Sequence, residues 1–419
     1  MQAEILIIGD GDVARLVRGL RDLIPAAESV AAGVAEIIAA VREGGDRAVI
    51  DYTSRFDTGG EAVESLRVAD GALSGAVAAL DPDVDRGLRF AVANVRGVAR
   101  ASLAQDRLVS LPAAEVTVRD APVGSAAVYV PGGRAPYPST VVMGVVTARA
   151  AGVEEVAVCA PPGRDGEINP VILAACALTG ADRVHRMGGA QAIAALAYGT
   201  ESVPAVDMIV GPGNLWVQEA KRQVSGVVAI DGFAGPSDLL VIADPDSDPE
   251  PIVLDLLAQA EHGPGTLVLG ASTSLALLEA LAERLLRAPE TGAIARLIEV
   301  ADERQALALA QAFASEHLQL IGPEAESLAP RTTHAGCVFV GAAAATAFGD
   351  YIAGSNHILP TDGAARFASA LSARSFRRTF TEVRITDPAM LARAAAPVAR
   401  AEGFELHARS MEIRIRENR

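Results

Sequence analysis

The chain has 419 residues, too many for one ordinary domain, and half of them are apolar while only 4% are aromatic. Two or three compact units with interiors of Ala, Val, Leu and Ile follow, a composition suited to helices packed closely on sheets. A formal net charge of −16 repels polyphosphate and anionic lipid and so excludes nucleic acid and a membrane surface as partners, while local helix dipoles can still hold a small anionic cofactor.

The start, MQAEILIIGDGD, lacks the basic region and long apolar stretch of a signal peptide. Gly9, Gly11 and Ala14 in IIGDGDVA fit the GxGxxA form of the dinucleotide fingerprint after the strand-like EILII. Asp10 and Asp12 would set carboxylates beside a pyrophosphate, and helix rather than a second strand follows, so the match reads as a turn. Residues 29–110 read as helices: apolar residues recur at helical spacing from Val34 to Arg42 and again at Leu88, Val92, Val95 and Val98, with Gly44 and Gly45 as punctuation.

From Gly124 short apolar runs end in glycine-rich loops, AAVYVPGGRAPYPST, VAVCAPPG, VHRMGGAQ and MIVGPGN, each followed by a helical segment. This is the rhythm of a parallel sheet. Ligands gather at the carboxyl ends of such strands, so the loops at Gly132-Gly133, Gly188-Gly189 and Gly211-Pro212-Gly213 are expected to crowd one edge, with N–H groups able to hold a pyrophosphate. A second αβ region runs from about Asp238 to Arg374, with strand-like LLVIAD, TLVLG and CVFVG between Ala- and Leu-rich helices. The uncharged run Thr332 to Gly349 is broken by glycines and reads as a buried strand and turn rather than a membrane span. The tail from Asp387 is helical and ends in arginines, a docking arm against an acidic body. Cys159, Cys176 and Cys337 are far apart, without CxxC spacing, and read as small buried hydrophobes in a reducing cytoplasm.

The chemistry-bearing candidates stand around the six histidines. Gln259 and His262, three apart in DLLAQAEHGPG, leave the same face of a helix that ends at Gly263, and their oxygen and nitrogen donors suit a borderline cation such as zinc. Asp350, in an irregular loop beyond a strand, and His407, on the tail, are candidates to complete the set. Glu316 and His317 form an adjacent acid and base where a helical run passes into an apolar strand, which suits two separate proton transfers. His357, in GSNHILP, reads as a loop brace, and His185 and His334 carry no functional expectation.

The strings YVPGGRAPYPST, GGAQAIAALAYGT, VDMIVGPGN, AIDGFAGPSDLLVIAD, DLLAQAEHG, SEHL, GDYIAGSNHILPT and AEGFELH occur in the order found in histidinol dehydrogenases. The chain resembles that family over nearly its whole length. The resemblance implies that Gln259, His262, Asp350 and His407 bind zinc, one ion per subunit, and that Glu316 and His317 transfer protons. It implies an NAD site lined by Tyr129, Gln191 and Asn214, and substrate contacts from Ser237, Gln259, His262, His317, Asp350, Glu402 and His407. The implied reaction is L-histidinol to L-histidine through L-histidinal with two NAD, the final step of histidine biosynthesis, in a cytoplasmic homodimer whose C-terminal tail completes the partner's site. Two departures stand out: the first twenty residues are unlike the family's usual start, and Asp238 stands where Glu is frequent. Alternatives are a paralogous zinc- and NAD-dependent dehydrogenase acting on another small alcohol, and a metal-dependent binding protein without turnover.

The expected fold is α/β, with two Rossmann-like but incomplete parallel-sheet domains and small N- and C-terminal helical segments. Residues 1–22 form the N-terminal segment, 23–123 with 239–378 the zinc-side domain, 124–238 the NAD-side domain, and 379–419 the tail.

Overall fold

The structure, a computed structural model, describes residues 1–8, 12–24, 29–61, 63–132, 135–233 and 235–415. Gly9, Asp10 and Gly11 of the fingerprint-like start, Gly133 of the first glycine loop, and Arg416 and Arg419 of the tail lie outside the described residues.

Two parallel sheets carry the fold, as expected of an α/β chain. The five-stranded sheet begins with Ser125–Tyr129, adds Glu155–Ala160 and then Arg183–Arg186 on one side, and crosses over to add Met208–Val210 and Ala229–Ile230 on the other. The six-stranded sheet repeats that plan. Asp238–Ala243 comes first, Leu267–Ser272 and Ile294–Glu299 extend one side, and His317–Ile321 and Cys337–Val340 extend the other. Helices cover both faces of each sheet, so strands such as LLVIA and SAAVY are nearly unbroken apolar runs rather than alternating ones.

The N-terminal strand Ala3–Ile7 pairs in parallel with Ile294–Glu299 at the edge of the six-stranded sheet. It therefore lies in the sheet opposite to the one whose glycine loops face the large cleft described below. The helix after it, Val13–Arg21, starts at Asp12, whose side chain accepts from the Ala14 N–H, so that carboxylate serves as a helix cap.

Three expectations need correction. The helices Ala31–Phe56, Asp70–Ala78 and Pro82–Ala101 pack mainly on the helices that cover the five-stranded sheet, although residues 23–123 are grouped above with the zinc-side unit. The reason is the reach of their apolar stripes: Val34, Ile37, Ile38 and Val41 share a core with Ile193 and Val217 of the helices Gly189–Tyr198 and Leu215–Val224 on one face, and Leu88, Val92 and Val95 share one with Val142, Val146 and Leu173 on the other. Secondly, a three-stranded antiparallel sheet, Arg107–Leu111 with Ala114–Pro122 and Arg377–Ile385, ends the supposed helical stretch and opens the tail. Its outer strands are exposed along nearly their whole length, so no burial pattern announces them. Thirdly, the run Thr332 to Gly349 holds the strand Cys337–Val340, then turns into a short helix, Thr346–Tyr351. Among the described residues no helix is long and apolar enough to cross a membrane.

His185, on the edge strand Arg183–Arg186, is fully buried and neither ring nitrogen has a hydrogen-bond partner. Burial, aided by the charges of Arg183 and Arg67, pushes its pKa down to about 4. Between the ordinary value near 6.5 and about 4, the unfolded chain binds a proton that the folded chain refuses. Stability therefore falls as pH drops through that window, by roughly 3 kcal/mol at its lower end. Urea unfolding of His185→Leu across the same range should show this part of the slope removed; parallel pH profiles for the two proteins would refute it.

Candidate functional site

The site forms where the carboxyl edge of the five-stranded sheet meets the amino edge of the six-stranded one. A cavity of about 450 Å³ lies there, lined by Gly211–Gly213 from the first sheet and by Ser237, Glu316 and His357 from the second. Glu316 follows the helix Glu303–Phe313, whose end is forced at Ala314 by a left-handed φ of 50°, and His317 opens the next strand. Register then decides the contacts. Because His317 pairs with Leu239, Glu316 lies beside Asp238: the Asp238 N–H donates to Glu316 Oε2 at 3.0 Å, and the Glu316 N–H donates to Asp238 Oδ1 at 2.7 Å. Asp238 is fully buried, and its charge is met by Arg21, whose guanidinium reaches Oδ2 at 2.7 Å and also donates to the Phe313 carbonyl at 2.8 Å. The N-terminal helix thus braces the loop that carries Glu316.

Glu316 and His317 are both buried. Burial raises the Glu316 pKa, and the neighbouring Asp238 and Asp350 carboxylates add to the rise against the attraction of His317. For His317 burial works downward, but Glu316 and the hydrogen bond and charge of Asp350 prevail and raise it. His317 Nδ1 lies 3.8 Å from Glu316 Oε2 and Nε2 lies 3.4 Å from Asp350 Oδ1.

Asp350 sits near the end of the short helix Thr346–Tyr351, not in an irregular loop as its sequence suggests. Burial opposes its charge, yet the hydrogen bond from His317 and the charges of His317, His357 and His262 hold its pKa below the ordinary value. His357 is the brace expected of it. Its Nδ1–H donates to the Asp350 carbonyl at 2.9 Å, and its Nε2 meets the Thr140 hydroxyl at 3.2 Å. Gln259 ends the buried face formed by Ile252, Val253 and Leu256 on the helix Pro249–Ala260, which packs against Thr346–Tyr351. Its Nε2 is buried without a partner. His262 lies in the turn just after that helix.

The larger cleft, about 1160 Å³, follows the carboxyl ends of the first sheet and is lined by Tyr129, Gln191 and Asn214 together. The Tyr129 hydroxyl accepts from the Gly189 N–H at 3.2 Å, and Asn214 caps the helix Leu215–Val224 by accepting from the Val217 N–H at 3.2 Å. The Gly211–Asn214 loop contributes to both cavities.

The structure thus gathers Gln259, His262, Glu316, His317 and Asp350 on one side, with Ser237 beside Asp238, and Tyr129, Gln191 and Asn214 on the other. It does not bring Glu402 and His407 to them. Both are exposed on the tail, where Gly403, at a φ of 83°, separates the helices Pro388–Ala401 and Glu405–Ile413. Among the described residues no three His, Cys, Asp or Glu side chains are grouped to hold a metal ion. Cys159 and Cys176 are buried as expected, while Cys337 is only half-buried; burial raises all three thiols, Cys159 to about 12.

Comparison with known proteins points one way. A family model described as "Histidinol dehydrogenase" matches residues 24–415. A histidinol dehydrogenase of Parasynechococcus marenigrum is 44% identical over 393 residues, 90% of each chain. One of Ruegeria pomeroyi is 42% identical over 414 residues, 96% of this chain and 95% of the relative. The crystal structure of histidinol dehydrogenase from Elizabethkingia anophelis superimposes with a TM-score of 0.92 at 29% identity, covering 99% of this chain and 98% of that one.

Sequence reasoning missed two supports of the site. Nothing local marks Arg21, which lies 217 residues from Asp238. Lys221 did leave a signal, being the single lysine of the chain. Its buried ammonium donates to the Gly211 carbonyl at 2.5 Å and to Asp231 Oδ1 at 2.6 Å, while Asp231 Oδ2 accepts from the Gly211 N–H at 2.7 Å. Both polar groups of Gly211 are thereby fixed. Glycine is required there, since φ is 117° and a Cβ would meet the Tyr129 carbonyl oxygen at 2.1 Å. Lys221→Met leaves the Asp231 charge buried and unpaired, so urea unfolding should show a loss of roughly 3 kcal/mol or more. Lys221→Met/Asp231→Asn should recover part of it, and a single-variant loss under about 1 kcal/mol would dismiss the pair as a support.

Proposed function

The chain belongs to the histidinol dehydrogenase family, oxidoreductases of histidine biosynthesis, and on that premise we propose that it oxidises L-histidinol to L-histidine through L-histidinal with two NAD. The observation that carries this reading is the buried Glu316–His317 pair facing Asp350, at the junction of the two sheets. A paralogue acting on another small alcohol finds no favour in the comparisons, since these curated relatives are named histidinol dehydrogenases.

Gln259, His262 and Asp350 fit a zinc ion in donor chemistry: an amide oxygen, an imidazole and a carboxylate whose charge is held by surrounding imidazoles. His407 would supply the fourth ligand from the tail of a second copy. Bound zinc would fix the imidazole and amino nitrogens of the substrate, and bound NAD would accept a hydride in each of two rounds. His317 takes the proton of the substrate hydroxyl in the first oxidation. A cation held by Asp350 would weaken that carboxylate's hold on the His317 ring proton. Glu316 takes a proton from the water that attacks the aldehyde carbon, and burial favours this by raising its affinity for the proton. Ser237 lines the same cavity, which supports its reading as a substrate contact, and Glu402 joins it from the tail. Tyr129, Gln191 and Asn214 hold the dinucleotide in the larger cleft.

The proposed assembly is a homodimer with exchanged tails, working in the cytoplasm. Its support is the apolar surface that one chain leaves uncovered: Leu108, Leu111, Phe380 and Val383 on the antiparallel sheet and Val398, Phe404 and Leu406 on the tail are all exposed. The three unpaired cysteines suit a reducing compartment.

NADH should form from L-histidinol, cease after exhaustive chelation and return with added zinc. Undiminished turnover in protein shown by elemental analysis to be metal-free would refute the zinc assignment. For the exchanged tails, inactive Asp350→Ala and inactive His407→Ala are refolded together. Mixed dimers should restore activity at about a quarter of all sites when the two chains pair at random. No recovery at any mixing ratio would mean that each tail serves its own chain.

A further inference from the structure

Asp57 has no part in the chemistry above, yet it lies in the larger cleft with Tyr129 and Gln191. It follows the helix Ala31–Phe56, and its N–H is anchored on the Thr53 carbonyl at 2.8 Å. The backbone is tied, while Oδ2 of the carboxylate is buried without a hydrogen-bond partner among the described residues. Gln191 shares this condition, being 1% exposed with Nε2 unpartnered.

The two groups converge on one turn. Asp57 Oδ1 lies 3.4 Å from where a Cβ on Gly188 would be, and Gln191 Oε1 lies 2.6 Å from the same point on Gly189. An unpaired acceptor and an unpaired donor over consecutive glycines form a site for a group that both donates and accepts hydrogen bonds. Burial pushes the Asp57 carboxyl up to about 6, as befits an acceptor still without its partner. Of the parts of a dinucleotide, the ribose diol answers this description best, since it offers two O–H donors to one carboxylate and an oxygen to an amide.

Position selects which ribose. Glu316, Ser237 and His357 line the smaller cavity and Asp57 does not, so the nicotinamide end belongs beyond the Gly211–Asn214 loop. Phe56 and Trp216 line the cleft with Asp57 and are about half exposed, flat apolar surfaces suited to adenine. Arg55, Arg164, Asp165 and Glu167 also line it and are exposed, whereas Asp57 is half-buried with its Oδ2 out of solvent.

We propose that Asp57 accepts hydrogen bonds from the 2′- and 3′-hydroxyls of the adenosine ribose and so selects NAD over its 2′-phosphorylated form; this rests on reading the cleft as the dinucleotide site. A 2′-phosphate there removes one donor and sets a dianion against that carboxylate. Asp57 is a specificity-determining residue, remote from the reacting atoms.

The test is steady-state oxidation of L-histidinol by wild type, Asp57→Asn and Asp57→Ser, with NAD and NADP varied separately. The ratio of kcat/KM for NAD to that for NADP should fall at least tenfold in both variants, through a higher KM for NAD and a lower KM for NADP, with kcat on NAD within about twofold of wild type. A parallel decline with both cofactors, or an unchanged ratio, overturns the proposal. If neither variant folds, the wild-type enzyme decides: ADP-ribose should compete with NAD at least tenfold better than 2′-phospho-ADP-ribose, and equal competition overturns it. Failure of the wild type to form any NADH would instead strike the NAD reading itself, and is told apart by that control.

Discussion

Asp238 and Glu316 start neighbouring parallel strands, and each carboxylate accepts the backbone N–H of the other. This reciprocal pair exists only because His317 aligns with Leu239 in the ladder; a slip of one residue would turn Glu316 and His317 to the opposite faces. Burial raises the proton affinity of both carboxylates, and the Asp238 charge adds to the rise at Glu316. Arg21 offsets that cost from the N-terminal helix, and its guanidinium also covers the Phe313 ring at 4.0 Å. The N-terminal segment thus ends on an ionic support for the candidate site.

The second constraint is the opposition of unlike sheet edges. The glycine loops leave the carboxyl ends of their strands, as parallel sheets usually require. The acid, base and ligand candidates instead lie at the amino ends of theirs, because Glu316, His317 and Asp238 begin strands and Gln259 ends a helix that runs antiparallel to them. Each side supplies what the other lacks: backbone N–H groups and small residues on one, and titratable side chains on the other. The Lys221–Asp231 pair holds the one loop that serves both cavities.

The tail obeys a different economy of contacts. The helices Pro388–Ala401 and Glu405–Ile413 pack on each other, and Arg400 links Glu405 and Glu412 at 3.0 Å and 2.8 Å across the bend. Exposed ion pairs of this kind contribute only about 0 to 1 kcal/mol each, enough to shape a hairpin but not to dock it. Leu406, 75% exposed, gains nothing from its own chain, so a docking energy from this surface has to come from apolar burial against a second body.

Composition and periodicity determined the α/β class and the strand, loop and helix rhythm from Gly124 onward. The ordered strings around Gln259, Glu316 and Asp350 determined the family, because several short motifs in one order are far more specific than any alone. Local pattern failed where burial left no trace: the exposed strands Arg107–Leu111 and Arg377–Ile385, and helices whose apolar stripes do not state which sheet they will cover. Tertiary structure alone decided the register that joins Asp238 to Glu316, the arrival of Arg21, the clamp on Gly211 and the meeting of a carboxyl edge with an amino edge. Periodicity reports whether a segment is buried; what it is buried against depends on packing between segments hundreds of residues apart, which share no local signal.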